Sequence, residues 1–188
     1  TTLVEAIAYQ TGITARMGKV TDGNTISDYD KEEQKRKFSI STSVVPVEFE
    51  DIKINFLDTP GYFDFVGEVE EACHAAGAAV IVINGKSGVE VGTLKAWELC
   101  EKYKLPRLFF VTGMDDDQAS YRKIVLELND RFGRKVAPFH VPIRENEKFV
   151  GFVNVVKMKG RRFINDTSEY EECDIPDYMD KHLNISRD

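Results

Sequence analysis

Two apolar stretches end in turns that carry an aspartate. Ile54-Asn55-Phe56-Leu57 runs into Asp58-Thr59-Pro60-Gly61, and Arg107-Leu108-Phe109-Phe110-Val111 runs into Thr112-Gly113-Met114-Asp115. A carboxylate at the carboxyl end of a strand sits where open α/β sheets bind ligands. Pro60 and Gly61 break the first strand, and such a turn can bring a backbone N–H close to a phosphate while Asp58 faces a magnesium ion, directly or through a water. Hydroxyls stand at two further points: Thr1 and Thr2 open a helical pattern, and Ser39 lies in a long polar segment. Together these features outline a nucleotide site. The plainer alternative for the first turn is a strand-to-helix junction with Asp64 as helix N-cap.

The elements that must position these groups follow from periodicity. Ile52, Ile54 and Phe56 alternate with Lys53 and Asn55, which reads as a strand. Leu3, Ala6 and Ile7 share one face of an opening helix that ends near Gly12. From Gly18 to Thr42 there is no sustained apolar period, and loops of this length are usually functional or disordered. Its charged run from Asp28 to Lys37 reads mostly as a solvated helical turn. Val44 to Phe49 reads as a strand that Pro46 assigns to a sheet edge. Val66, Val69, Cys73 and Ala76 mark a helix, with Cys73 a buried inert thiol and His74 off the stripe. Gly77 to Asn84 is a continuous apolar run, expected to be a strand buried on both faces. A helix over 93–103 leads to the Arg107–Val111 strand, and Tyr121, Ile124, Val125, Leu128 and Phe132 line a helix closed by Gly133.

Strands alternating with helices predict an α/β, doubly wound, mostly parallel sheet. From Val136 the rhythm changes to short strands over 136–142, 149–156 and 158–163, followed by an acidic tail from Glu169. The expected organisation is therefore one domain over 1–135, with 136–188 as part of a small α+β insertion. With 188 residues and 42% hydrophobic content, one sizeable core is available.

The formal net charge of −7 argues against independent binding to DNA or other nucleic acid. Lys157, Lys159, Arg161 and Arg162 form a local basic patch, read as a solvated strand edge with an RNA or ribosome contact as the lesser reading. Cys73, Cys100 and Cys173 have no C-x-x-C spacing, so they suggest neither a zinc site nor a disulfide framework, and a cytoplasmic location is expected. No stretch approaches ~20 apolar residues, so no membrane span is expected. The chain opens inside a helical pattern without an initiator Met and is read as a fragment.

These residues in combination resemble the GTP-binding domain of translational GTPases, specifically of elongation factor G. Asp58-Thr59-Pro60-Gly61-Tyr62-Phe63-Asp64-Phe65 is similar to that family's D-T-P-G-H-x-D-F. The likeness extends through Glu68-Val69-Glu70, Tyr103-Lys104-Leu105-Pro106-Arg107, Pro142-Ile143 and Val155-Val156-Lys157-Met158-Lys159. It implies a P-loop NTPase-like fold whose first strand precedes Thr1, GTP or GDP with Mg²⁺ as ligands, and the ribosome as partner. By resemblance, Thr1-Thr2 close the phosphate loop G-x-x-x-x-G-K-T-T, and Thr1, Ser39 and Asp58 serve Mg²⁺. Ser39 stands in Arg36-Lys37-Phe38-Ser39-Ile40 where the family has R-G-I-T-I. The Gly61 amide meets the γ-phosphate, and Thr59 and Pro60 belong to the same turn. Asp115 of Thr112-Gly113-Met114-Asp115 reads guanine where the family has N-K-x-D.

Tyr62 replaces the family histidine that orients the attacking water, and a phenol stays protonated near neutral pH. The resemblance implies a GTPase coupled to translocation on the ribosome. The competing expectation is a non-hydrolysing or ribosomal-protection-type module, and a purely structural α/β domain ranks third. By themselves, the 188 residues are expected to be inactive, with no useful GTP affinity.

Overall fold

The computed structural model describes residues 1–146, 148–164, 169–176 and 179, with the backbone alone at Arg134. Contacts divide the chain into two units, residues 1–79 with 95–108, and residues 80–94 with those from 109 on.

In the first unit, helix α1 (Thr2–Gln10) packs on strand β1 (Ser43–Phe49). The buried side chains are Val4 and Ala8 against Val45 and Val47, flanked by Ile7, Ile26 and Phe56. The stripe is thus rotated from the expected Leu3-Ala6-Ile7 face, because β1 docks on the side where the small Ala8 permits close approach. Strand β2 (Ile52–Asp58) pairs antiparallel with β1, from Ser43 opposite Asp58 to Phe49 opposite Ile52. The two-residue turn puts both Glu50 and Asp51 at positive φ, 47° and 63°, the geometry whose twist suits a hairpin. Pro46 falls opposite Asn55 and gives up one ladder donor. The alternation in β2 is real but its apolar face is open: Ile54 and Phe56 line a groove with Val47 and Phe49.

Between α1 and β1 lie a 3-10 turn (Val20–Asp22) and the short helix α2 (Lys31–Arg36). After β2, a 3-10 turn (Phe63–Phe65) leads into α3 (Val66–Ala75). Asp64 does not cap α3. The N-cap position is Phe65, and no side chain bonds there. On α3 it is Ala72 that is buried, while Val66 is exposed and Cys73 half-buried. Burial, then the charge of Glu70, pushes the Cys73 thiol up, which fits an inert thiol.

In the chain that leads to the second unit, β3 (Ala79–Asn84) and β4 (Arg107–Thr112) run side by side in the same direction. Ala79 N donates to Pro106 O at one end and Gly85 N to Thr112 O at the other. Helix α4 (Val91–Tyr103) is their crossover. Burial on both faces, expected for β3, does not hold: Ile81 and Ile83 are buried, but Val80 and Val82 are 45% and 50% exposed. Side chains alternate across a strand, so an unbroken apolar run leaves the number of covered faces undetermined. Helix α5 (Tyr121–Phe132) covers one face through Ile124 and Leu128, which cluster with Ile83, Phe109 and Val111. Gly133, at φ 68°, ends α5 as expected.

A four-stranded antiparallel sheet follows: β5 (His140–Glu145), β6 (Lys148–Asn154), β7 (Lys159–Phe163) and β8 (Tyr170–Cys173), in that order. Val141, Ile143, Val153 and Met179 form its core. Strand β8 lies in what reads as an acidic tail, because Glu171 and Glu172, rather than apolar alternation, fill its centre. Arg161 faces Glu172 and Arg162 faces Glu171 across the ladder. Arg162 also pairs with Glu145, and Arg161 lies over the Tyr170 ring. The strand-edge reading of the basic patch does not hold: β7 lies between β6 and β8, and two of the four patch residues are occupied within the sheet. Of the acidic tail, residues 177–178 and 180–188 lie outside the described residues.

Candidate functional site

Asp58, the last residue of β2, is 7% exposed. Its Oδ1 accepts a hydrogen bond from the amino-terminal ammonium of Thr1 at 2.8 Å, and its buried Oδ2 has no partner. Thr1 Oγ1 lies 2.9 Å from Ser39 Oγ, and Ser39 Oγ donates to Asp28 Oδ1 at 2.6 Å. Since Ser39 spends its single proton on Asp28, Thr1 is the donor to Ser39, and each hydroxyl keeps a lone pair. Asp28 is itself buried, with Oδ2 accepting from Thr25 Oγ1 at 3.1 Å. Thr1, Ser39 and Asp28 are therefore joined oxygen to oxygen, and Asp58 is tied to them through the Thr1 nitrogen.

The segment carrying Ser39 is pinned by Glu33, a carboxylate 2% exposed. Its Oε1 accepts from Ile40 N at 2.8 Å and Ser41 N at 3.0 Å, while Oε2 accepts from Asp30 N at 3.2 Å. The last of these belongs to a capping box that starts α2. Lys37 ends α2 at φ 63°, with its N–H on Glu33 O at 2.7 Å. The left-handed turn is thus made here by a residue with a Cβ, at a cost of about 1–2 kcal/mol relative to glycine.

A cavity of about 380 Å³ opens beside this set. Thr1, Asp28, Ser39, Thr59 and Gly61 supply its polar wall, and Val20, Phe38 and Tyr62 the apolar part, with Lys37 at the rim. A Cβ built on Gly61 would meet nothing within 4 Å, so the backbone of this turn faces open space. Pro60 behind it is buried, and Thr2 is exposed. Oxygen donors alone, two carboxylates and two hydroxyls, suit a hard cation such as Mg²⁺, and an orphaned buried carboxylate oxygen beside an open backbone turn fits a cation with a phosphate. Among the described residues no group of three or more His, Cys, Asp or Glu is placed to hold a metal, so the hydroxyls are essential to this fit.

Tyr62 is 56% exposed, and its ring meets Phe38 edge to face at 4.7 Å; Phe38 also lies 6.4 Å from Phe65.

Thr112 to Asp115 belong to the second unit. Thr112 Oγ1 donates to Ile83 O at 3.3 Å, Gly113 has φ 65°, Met114 is buried and Asp115 is exposed. The loop is held by Arg144, whose Nη2 donates to Met114 O and Asp116 O at 3.0 Å each, and whose Nη1 donates to Ala119 O at 2.6 Å.

Sequence reasoning missed Asp28, Glu33 and Arg144. Asp28 and Glu33 sit in a run of like character, where nothing in residue type separates a buried carboxylate from its solvated neighbours. The Asp30-x-x-Glu33 spacing was a usable signal for the capping box.

Residues 1–182 match the family model of the elongation factor Tu GTP binding domain. The chain belongs to this family of translational GTPase G domains. This G domain is 36% identical over 179 residues to elongation factor G of Chlamydia caviae, a match that covers 94% of this chain and 26% of that protein. It also matches a solved structure from Thermus thermophilus with a TM-score of 0.92 and 35% identity, over 100% of this chain and 28% of that one. The chain thus spans about a quarter of the length of these relatives.

Proposed function

We propose that this G domain serves an elongation-factor-G-like ribosomal GTPase whose full chain couples GTP binding and hydrolysis to translocation. The observation that supports this most is the joined set Asp58, Thr1, Ser39 and Asp28 beside the open backbone at Gly61. In this reading Thr1, Ser39 and Asp58 would hold Mg²⁺, and Thr2, Thr59, Pro60 and Gly61 form the phosphate-facing turns. Bound there, Mg²⁺ supplies charge that offsets the build-up on phosphate oxygens. Asp115 accepts hydrogen bonds from the guanine edge, and Thr112, Gly113 and Met114 shape its loop. Tyr62 occupies the position from which the attacking water is oriented, as a neutral donor in place of an imidazole. We take residues 1–135 as the GTP-binding part and 136–188 as part of an inserted subdomain, supported by the change to an antiparallel sheet at β5. A ribosomal role makes the cytoplasm its compartment, and no described helix is long and apolar enough to cross a membrane.

The test is titration of the full-length protein with fluorescent GTP and GDP, with and without Mg²⁺, followed by single-turnover hydrolysis on ribosomes. Mg²⁺-dependent binding with phosphate release is the expected result. A second reading, a non-hydrolysing or ribosomal-protection-type module that binds the ribosome, is favoured by Tyr62 packed on Phe38. Tight binding without phosphate release selects it, and binding of neither nucleotide removes both readings.

A further inference from the structure

We propose that Lys37 is a phosphate ligand of this site, contacting the terminal phosphate of a bound nucleoside triphosphate; this rests on the reading of the cavity as a nucleotide site. Lys37 is the one basic side chain among the residues that line the cavity, alongside Asp28, Ser39, Gly61 and Tyr62. Among the described residues no carboxylate lies within ion-pair distance of its ammonium. The carboxylates nearest in the network are already engaged: Asp28 accepts from Ser39 and Thr25, and Asp58 from Thr1.

The backbone carrying Lys37 is fixed from both sides. Its own N–H is bonded to Glu33 O, and Ile40 and Ser41 just beyond it are bonded to the Glu33 carboxylate. The ammonium rests against Gly23, where a Cβ would come within 2.6 Å of Nζ, next to the Val20 wall of the same cavity. Gly23, at φ 65°, is thus the residue that leaves room for it. Two residues before Ser39, the cavity lining thus carries an exposed cation with no carboxylate partner among the described residues, on a fixed backbone. The motif this segment resembles, R-G-I-T-I, has glycine where Lys37 stands. A contact to the terminal phosphate separates triphosphate from diphosphate, because only one of them carries that group.

Fluorescent GTP and GDP titrations of the full-length protein in Mg²⁺ test this with K37M, K37R and K37G. Glycine takes φ 63° without strain, so K37G removes the charge without threatening the fold. K37M and K37G are expected to weaken GTP by ~10-fold while GDP stays within ~2-fold, and K37R to hold GTP near wild type, as for a charge-assisted hydrogen bond. Equal weakening of both nucleotides, or unchanged GTP affinity, overturns the role of Lys37 and leaves the nucleotide reading standing. A wild-type protein that binds neither nucleotide overturns both.

Discussion

At residue scale, the proposed hydrolysis turns most on Tyr62. Its ring is half-exposed at the cavity and braced on Phe38 at 4.7 Å. A phenol near neutral pH donates a hydrogen bond but takes no proton, whereas an imidazole can do either. Positioned proton transfer contributes roughly 10²–10⁴-fold where it operates. In the full-length protein on ribosomes, Tyr62→His is expected to raise single-turnover GTP hydrolysis by on the order of 10-fold or more, with little change in GTP affinity. An unchanged or slower rate would mean that Tyr62 already performs the water-orienting role. Losing the edge contact with Phe38 costs about 1 kcal/mol at most, too little to unfold the domain.

At the scale of elements, the long segment between α1 and β1 is held by buried carboxylates. Glu5 of α1 is 2% exposed, and its two oxygens accept from Gly18 N at 2.7 Å and Ile26 N at 2.6 Å. A Cβ on Gly18 would come nearest the Asn24 carbonyl oxygen and lie 2.8 Å from Glu5 Oε1, which explains a glycine at that approach. One helical side chain therefore ties down two points of the segment that carries Asp28 and Ser39. Glu5→Gln replaces one acceptor by an N–H₂ that faces a backbone N–H. It is expected to destabilise the protein by about 3 kcal/mol, read as a lower midpoint in urea unfolding. A loss under about 0.5 kcal/mol would show that this segment does not depend on Glu5. The helix was legible from its apolar spacing, but that Glu5 faces inward was not. Apolar spacing put Leu3, Ala6 and Ile7 on the inward face, and only the packing on β1 turned Val4, Glu5 and Ala8 inward.

At the scale of the whole molecule, stability depends on pH through groups whose proton affinity changes on folding. His140, between the rings of Phe139 and Phe152, has its pKa lowered by partial burial and then by Arg161. The folded protein then binds fewer protons at this site than the unfolded chain. The contribution is complete above the ordinary value of 6.5 and is lost as pH falls from there through the folded value. The melting temperature is expected to drop between pH 7.5 and 5.5, and His140→Asn to make that drop smaller; an identical pH profile in the variant would exclude His140 as the source.

Local chemistry determined much of this protein from sequence alone. Alternation gave β2, 3.6-residue spacing gave α1 and α5, and the Asp58-Thr59-Pro60-Gly61 turn marks the proposed phosphate-facing site. These signals are local because periodicity and turn-forming residues act within a few positions. Tertiary structure alone decided that Asp28 joins Ser39 and Thr1, that Glu33 pins their segment, that β3 buries a single face, and that β8 pairs with β7. Each of these depends on which partner a side chain meets from tens of residues away, and neither residue type nor spacing encodes that partner.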